Sequence, residues 1–226
     1  RTQNSVVNKK PARNLPSPLT DEIFAWSNEQ EAVYYGPRIA GTGDQAVTLV
    51  GNAYGAAEPQ VITAGDTTLV AYLDNEESRA LPNQTVVKYI IYNPVTGTFS
   101  EPEIVLDDDT ADYRPRLYTD GTNIYVYYLD STKVYGEGDD PGTSEYAGTF
   151  AVTVAKYDAD SGNFTKLGTM SRGNHYCYAP ILTNRGDGLL LAWAENDSSQ
   201  VFGLTQDNSV HVHTICNFFR SVQLTD

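Results

Sequence analysis

PRLYTDGTNIYVYYLDS, residues 115–131, opens on a proline, turns at Asp120-Gly121, and leaves on two tyrosines, an apolar residue and an acid. The same phrase stands at 59–75 as PQVITAGDTTLVAYLDN and at 180–196 as PILTNRGDGLLLAWAEN. Each copy reads as two short strands around a Gly/Asp turn, with proline at the head of an edge strand where no ladder N–H is needed. The first two copies run on into a second strand pair, 85–105 and 150–168, through hairpin tips NPVTG (93–97) and DADSG (158–162). The third continues as QVFGLTQDNSVHVHTI (200–215), where QDN (206–208) reads as the tip between third and fourth strands.

Four short strands recurring about every 55–65 residues are the pattern of an all-β, β-propeller-like fold built of four-stranded antiparallel blades. An N-terminal copy is incomplete: EIFAWSNE (22–29), EAVYYGPRI (31–39) and QAVTLVG (45–51) fit second, third and fourth strands with no first. The tail CNFFRSVQLTD (216–226) is the apolar segment left to supply it and close a four-bladed ring; the alternative is part of a larger propeller. A β-sandwich also shows short alternating strands, but the long repeat argues against it. Residues 21–226 thus read as one domain, preceded by a polar, proline-containing arm over 1–20.

Composition narrows the function classes. The chain has 226 residues, 29 Asp and Glu against 15 Lys and Arg, and a formal net charge of -14, which repels phosphate backbones and excludes nucleic acid as an expected partner. No apolar run reaches the length of a membrane span. Two cysteines, Cys177 and Cys216, are too few for a disulfide framework.

In an antiparallel pair the start of the first strand and the end of the second lie at the same end, so one rim of the disc should gather Glu58, Asp74, Arg114, Asp130 and Glu195. Tyr72, Tyr128 and Trp193 belong to the same phrase, and Tyr113, Tyr135, Tyr146 and Tyr176 lie near it. The longest inserts, 75–84 and 131–148, open on that rim, where loops commonly build binding sites. Aromatic faces beside carboxylates suit sugars, so Asp74, Tyr72, Arg114, Tyr128 and Trp193 are candidate ligand-binding residues. If the protein is a glycoside hydrolase, Glu58, Asp130 and Glu195 are the candidate acid/base carboxylates. LDDDTAD (106–112) is an oxygen-rich loop of the kind that holds Ca²⁺, with Asp107, Asp109 and Asp112 as ligands; no other cofactor is expected. The His-Val-His at 211–213 is half of a zinc site at most.

With the hairpins placed, YNPVTGTFSEP (92–102) and YDADSGNFTKL (157–167) resemble the Asp-box turns of sialidase-like propellers, with Phe99 and Phe164 where the box has Trp. Asp158 and Asp160 are the candidates for the box carboxylate. Sialidase activity would imply three converging arginines, and Arg38, Arg114, Arg116, Arg172 and Arg185 do not fill that register. The first-strand openings AEPQVITAGDTTLVAYLD and YRPRLYTDGTNIYVYYLD are similar to blades of five-bladed glycosidases that cleave arabinan and xylan side chains, a resemblance that implies a catalytic role for an acid before proline, here Glu58. The expectation is an extracellular or cell-surface binding or scaffold module for carbohydrate. The alternatives are a glycoside hydrolase and a structural domain of a larger surface protein that docks another protein domain; a larger multidomain chain is one setting left open.

Overall fold

The computed structural model describes residues 23–27, 33–37, 47–50, 57–93, 95–96, 98–170, 176–186, 188–196 and 208–215. The arm 1–20 and the proposed closing strand 216–226 lie outside them. Four antiparallel meanders follow one another along the chain. The first is β1 (Ile23–Ser27), β2 (Val33–Pro37) and β3 (Val47–Val50), in the places expected of second, third and fourth strands. The second is β4 (Gln60–Ala64), β5 (Thr67–Asn75), β6 (Thr85–Asn93) and β7 (Thr98–Phe99), with β8 (Glu103–Ile104) also pairing β6. Pro102 sits in the gap between β7 and β8, where an outer edge strand tolerates a residue without an N–H.

The third sheet is β9 (Asp112–Thr119), β10 (Ile124–Ser131), β11 (Phe150–Asp158) and β12 (Asn163–Met170). The fourth is β13 (Tyr176–Arg185), β14 (Gly188–Asn196) and β15 (Asn208–Ile215). Here the expected rank of one strand is corrected. β15 pairs directly with β14, Leu189 opposite Ile215 and Asn196 opposite Asn208, so it is a third strand and Asn208 begins it, not a hairpin tip between third and fourth strands. Period-two alternation marks a strand without fixing its order in a sheet.

Sheets stack face against face. One core joins Leu69, Ala71 and Leu73 of β5 and Val87 and Tyr89 of β6 to Ile124, Val126 and Tyr128 of β10. A second joins Tyr125, Tyr127 and Leu129 on the other face of β10 to Leu182, Leu191 and Trp193 of the fourth sheet. β4 lies against β9, and β10 and β11 lie against β13, an all-β propeller-like arrangement. A strand covered on both faces reads as a continuous apolar run, and every residue of β10 is buried.

The hairpin tips are closed by their first side chains. Asn93 Oδ1 accepts the Val95 N–H at 2.9 Å, and Asp158 takes the Asp160 N–H at 3.0 Å and the Ser161 hydroxyl at 2.9 Å. These are Asx turns, and of the two box candidates Asp158 does this work. Gly162 follows at φ +76°, a conformation suited to glycine. Phe164 packs edge-on against Tyr89, 5.0 Å between centroids, at the seam between the second and third sheets.

Candidate functional site

Each innermost strand begins with the same irregularity. Tyr113 pairs with Leu129 and Arg116 with Tyr127, so Arg114 and Pro115 together face Tyr128. Likewise Tyr178 pairs with Ala194 and Ile181 with Ala192, which leaves Ala179 and Pro180 facing Trp193. In the second sheet the Leu73 N–H donates to Ala57 O at 2.7 Å and Gln60 pairs with Ala71, which sets Glu58-Pro59 opposite Tyr72. The residue before proline is left-handed in all three: Glu58 at φ +44°, Arg114 at +55° and Ala179 at +50°. Proline cannot donate to the ladder, and two residues against one make a β-bulge. Equivalent bulges on successive innermost strands put positions 58, 114 and 179 on one rim.

Accessible groups cluster at that rim. Arg116 Nη1 lies 3.1 Å from Glu58 Oε2, an ion pair joining β9 to the segment leading into β4, with both side chains partly exposed. Arg114 is exposed. Tyr176 and Tyr178, two apart on β13 and both part-buried, stack with centroids 5.7 Å apart and planes at 16°. Tyr178 is missing from the sequence-based candidates, although the alternation in YCY marks 176 and 178 as sharing a face.

Other expected site residues are placed in the core. Tyr72 and Tyr128 are wholly buried and Trp193 is 6% exposed, each packed opposite its proline bulge. Tyr128 and Trp193 pack in cores shared with a neighbouring sheet and Tyr72 packs with Val61, Val70 and Ile90 of its own sheet, so the three are corrected from ligand-binding: they stand in the core and not on an open rim. Asp130 and Glu195 are 2% and 0% exposed, so neither stands on the open rim. Asp130 accepts hydrogen bonds from the Thr153 hydroxyl at 2.6 Å and the Thr110 hydroxyl at 2.9 Å, and Lys166 Nζ lies 3.4 Å away. Burial holds its carboxyl above the usual range against the lowering effect of the Thr153 bond. Glu195 accepts from Trp193 Nε1 at 2.8 Å and lies 3.5 Å from the buried Cys177 thiol, whose ionisation burial and the neighbouring carboxylate both oppose. Asp74 remains near the surface, 3.1 Å from Lys88 Nζ.

The acidic loop takes an arginine as its cation. The Arg79 side chain, 6% exposed, donates to Asp107 and, at 2.7 Å, to Thr110 O, with Asp109 at 3.9 Å. Asp112 turns away from this group: it is 1% exposed and its Oδ2 accepts the Val87 N–H of β6 at 3.0 Å. The three residues read as Ca²⁺ ligands are therefore not brought together, and among the described residues no group of three or more His, Cys, Asp or Glu forms a metal-holding cluster. The side chains of His211 and His213 lie outside the described residues. Asn83 ties the 75–84 insert to the 131–148 insert, its amide donating to Tyr135 O at 2.8 Å and its oxygen accepting the Tyr135 N–H at 3.1 Å. A cavity of about 500 Å³ lies between these inserts and the acidic loop, lined by Glu76, Arg79, Ile104, Asp107 and Val134 among others.

No protein-family model matches the chain, and no curated protein matches it in sequence. Solved structures do. An endo-arabinase from Bacteroides thetaiotaomicron superposes with a TM-score of 0.50 at 10% identity, over 98% of this chain and 83% of that one. A xylan beta-1,4-xylosidase from Bacillus halodurans gives 0.45 at 11% identity, over 91% of this chain and 41% of that one, and the catalytic domain of a Microbacterium saccharophilum beta-fructofuranosidase gives 0.43 at 9%, over 96% and 66%. At such identities the endo-arabinase likeness establishes the fold alone, the all-β propeller-like architecture that the four meanders describe.

Proposed function

We propose that this chain is an extracellular or cell-surface carbohydrate-binding module that holds a glycan at the rim of its innermost strands without hydrolysing it. The observation that carries this is the stacked, partly exposed Tyr176–Tyr178 pair on the rim that also bears the Glu58–Arg116 ion pair. Aromatic faces receive the C–H surface of a sugar ring, and a carboxylate beside a guanidinium offers acceptor and donors to its hydroxyls. Hydrolysis needs two carboxylates that reach a glycosidic bond from opposite sides. Two of the three acids considered for it, Asp130 and Glu195, are closed off from solvent, and the third, Glu58, faces a cation. The tips that resemble Asp boxes enter this function as turn-closing devices.

The test is calorimetric titration with arabinan and xylan oligosaccharides beside an assay for released reducing sugar. Binding without release is expected, with affinity lowered about tenfold or more in Tyr178→Ala, in line with loss of an aromatic platform. Sugar release that disappears in Glu58→Gln would replace this proposal with the hydrolase.

A further inference from the structure

Arg114 is an exposed cation on the rim that makes no hydrogen bond or ion pair among the described residues. On charge grounds that is unexpected, since acids outnumber bases by 29 to 15. Neighbouring cations are taken: Arg116 by Glu58 at 3.1 Å, Lys88 by Asp74 at 3.1 Å, Lys166 by Asp130 at 3.4 Å. Arg114 also occupies the bulge position, left-handed at φ +55° ahead of Pro115, with Tyr128 buried opposite. Its backbone is therefore held by the core while its side chain meets solvent. The equivalent position on β13 is Ala179, directly after the Tyr176–Tyr178 pair.

We propose that Arg114 is the specificity-determining residue of this rim and receives the carboxylate of a uronic-acid residue in the bound glycan. The assignment rests on the carbohydrate-binding function proposed above and names its ligand class. A guanidinium presents a planar fork that matches a carboxylate through two parallel hydrogen bonds, which a hydroxyl cannot reproduce. With Arg116 paired to Glu58, the Arg114 guanidinium stands without an ion-pair partner among the described residues, on a molecule whose formal charge is -14. That overall field opposes a polyanion, whose further charges extend beyond a Debye length of about 8 Å from the rim. The ligand is accordingly a largely neutral glycan with isolated uronate branches rather than a polyuronate.

The experiment titrates the full chain with xylotetraose and with xylotetraose carrying one glucuronic acid branch. The wild type is expected to prefer the branched sugar about tenfold, the effect of one charge-assisted contact, and less so as salt is raised. Arg114→Gln brings the ratio to within about twofold of unity, and Arg114→Lys, a point charge without the fork, falls between. A wild type that binds both sugars equally, or an Arg114→Gln ratio as large as the wild type's, overturns the assignment and leaves carbohydrate binding standing. Failure of the wild type to bind either sugar overturns the uronate assignment, and carbohydrate binding falls with it when arabinan oligosaccharides also fail to bind. Tighter binding of a hexaglutamate peptide, lost in Arg114→Gln, would make the rim a protein-docking site and overturn the uronate assignment as well.

Discussion

Asp112 shows how one buried carboxyl ties neighbouring sheets together and what that costs. Its Oδ2 takes a backbone N–H from β6 while its Oδ1 has no hydrogen-bond partner among the described residues. Burial, then the charge of Asp130, pushes its ionisation well above the usual carboxylate range. The folded protein therefore keeps a proton that the unfolded chain releases near pH 3.9, and stability falls as pH rises between that value and the folded one. Below about pH 3.9 both states are protonated and the group is silent. Asp112→Asn, which cannot ionise, is expected to gain stability relative to wild type on going from pH 4.5 to 7.5. Urea unfolding at the two pH values checks this, and parallel behaviour of the two proteins would remove the explanation. At this scale the sequence was legible in register and not in depth. The repeat places Asp130, Glu195 and Tyr72 along their strands, but nothing local reveals how deeply the fold buries them. Arg79 is the converse case, because its partners Asp107 and Thr110 lie 28 and 31 residues away.

The repeated element is the proline bulge with its aromatic partner. Proline and the aromatic are both plain in the sequence, so strand starts and ends are readable from it. The left-handed residue is not, because Glu58, Arg114 and Ala179 share no side-chain chemistry and none is glycine. A non-glycine residue in that region carries about 1–2 kcal/mol of strain. Ala179 is exposed and loses little packing, so Ala179→Gly is expected to raise stability by about 0.5–1 kcal/mol after its larger unfolded-state entropy is counted. A rise in thermal midpoint checks it, and a fall would mean that the alanine methyl group matters more than the backbone. Among the loops, Asn83 makes two buried bonds to Tyr135. Asn83→Ala strands both backbone groups and should cost about 2–4 kcal/mol, measurable as a drop in urea midpoint.

For the whole molecule, the succession of meanders was available from the 115–131 phrase and its echoes, apart from the rank of β15 in its sheet. What joins the sheets was not, because inter-sheet contacts involve apolar residues that look alike from blade to blade. Leu69, wholly buried, packs in the cluster shared by β5, β6 and β10, and Leu69→Ala is expected to cost about 2–5 kcal/mol. Since that cluster belongs to two sheets at once, its loss should lower a single unfolding transition rather than split off one sheet. Separate transitions in calorimetry would show the sheets to be independent. Cys177 offers a way to watch that cohesion directly. Its thiol is sealed at the junction of the third and fourth sheets, beside a carboxylate that disfavours the reactive thiolate. In a Cys216→Ser background the rate of alkylation at this one sulfur becomes a clock for how often neighbouring blades part, and a bound glycan that braces the rim should slow it.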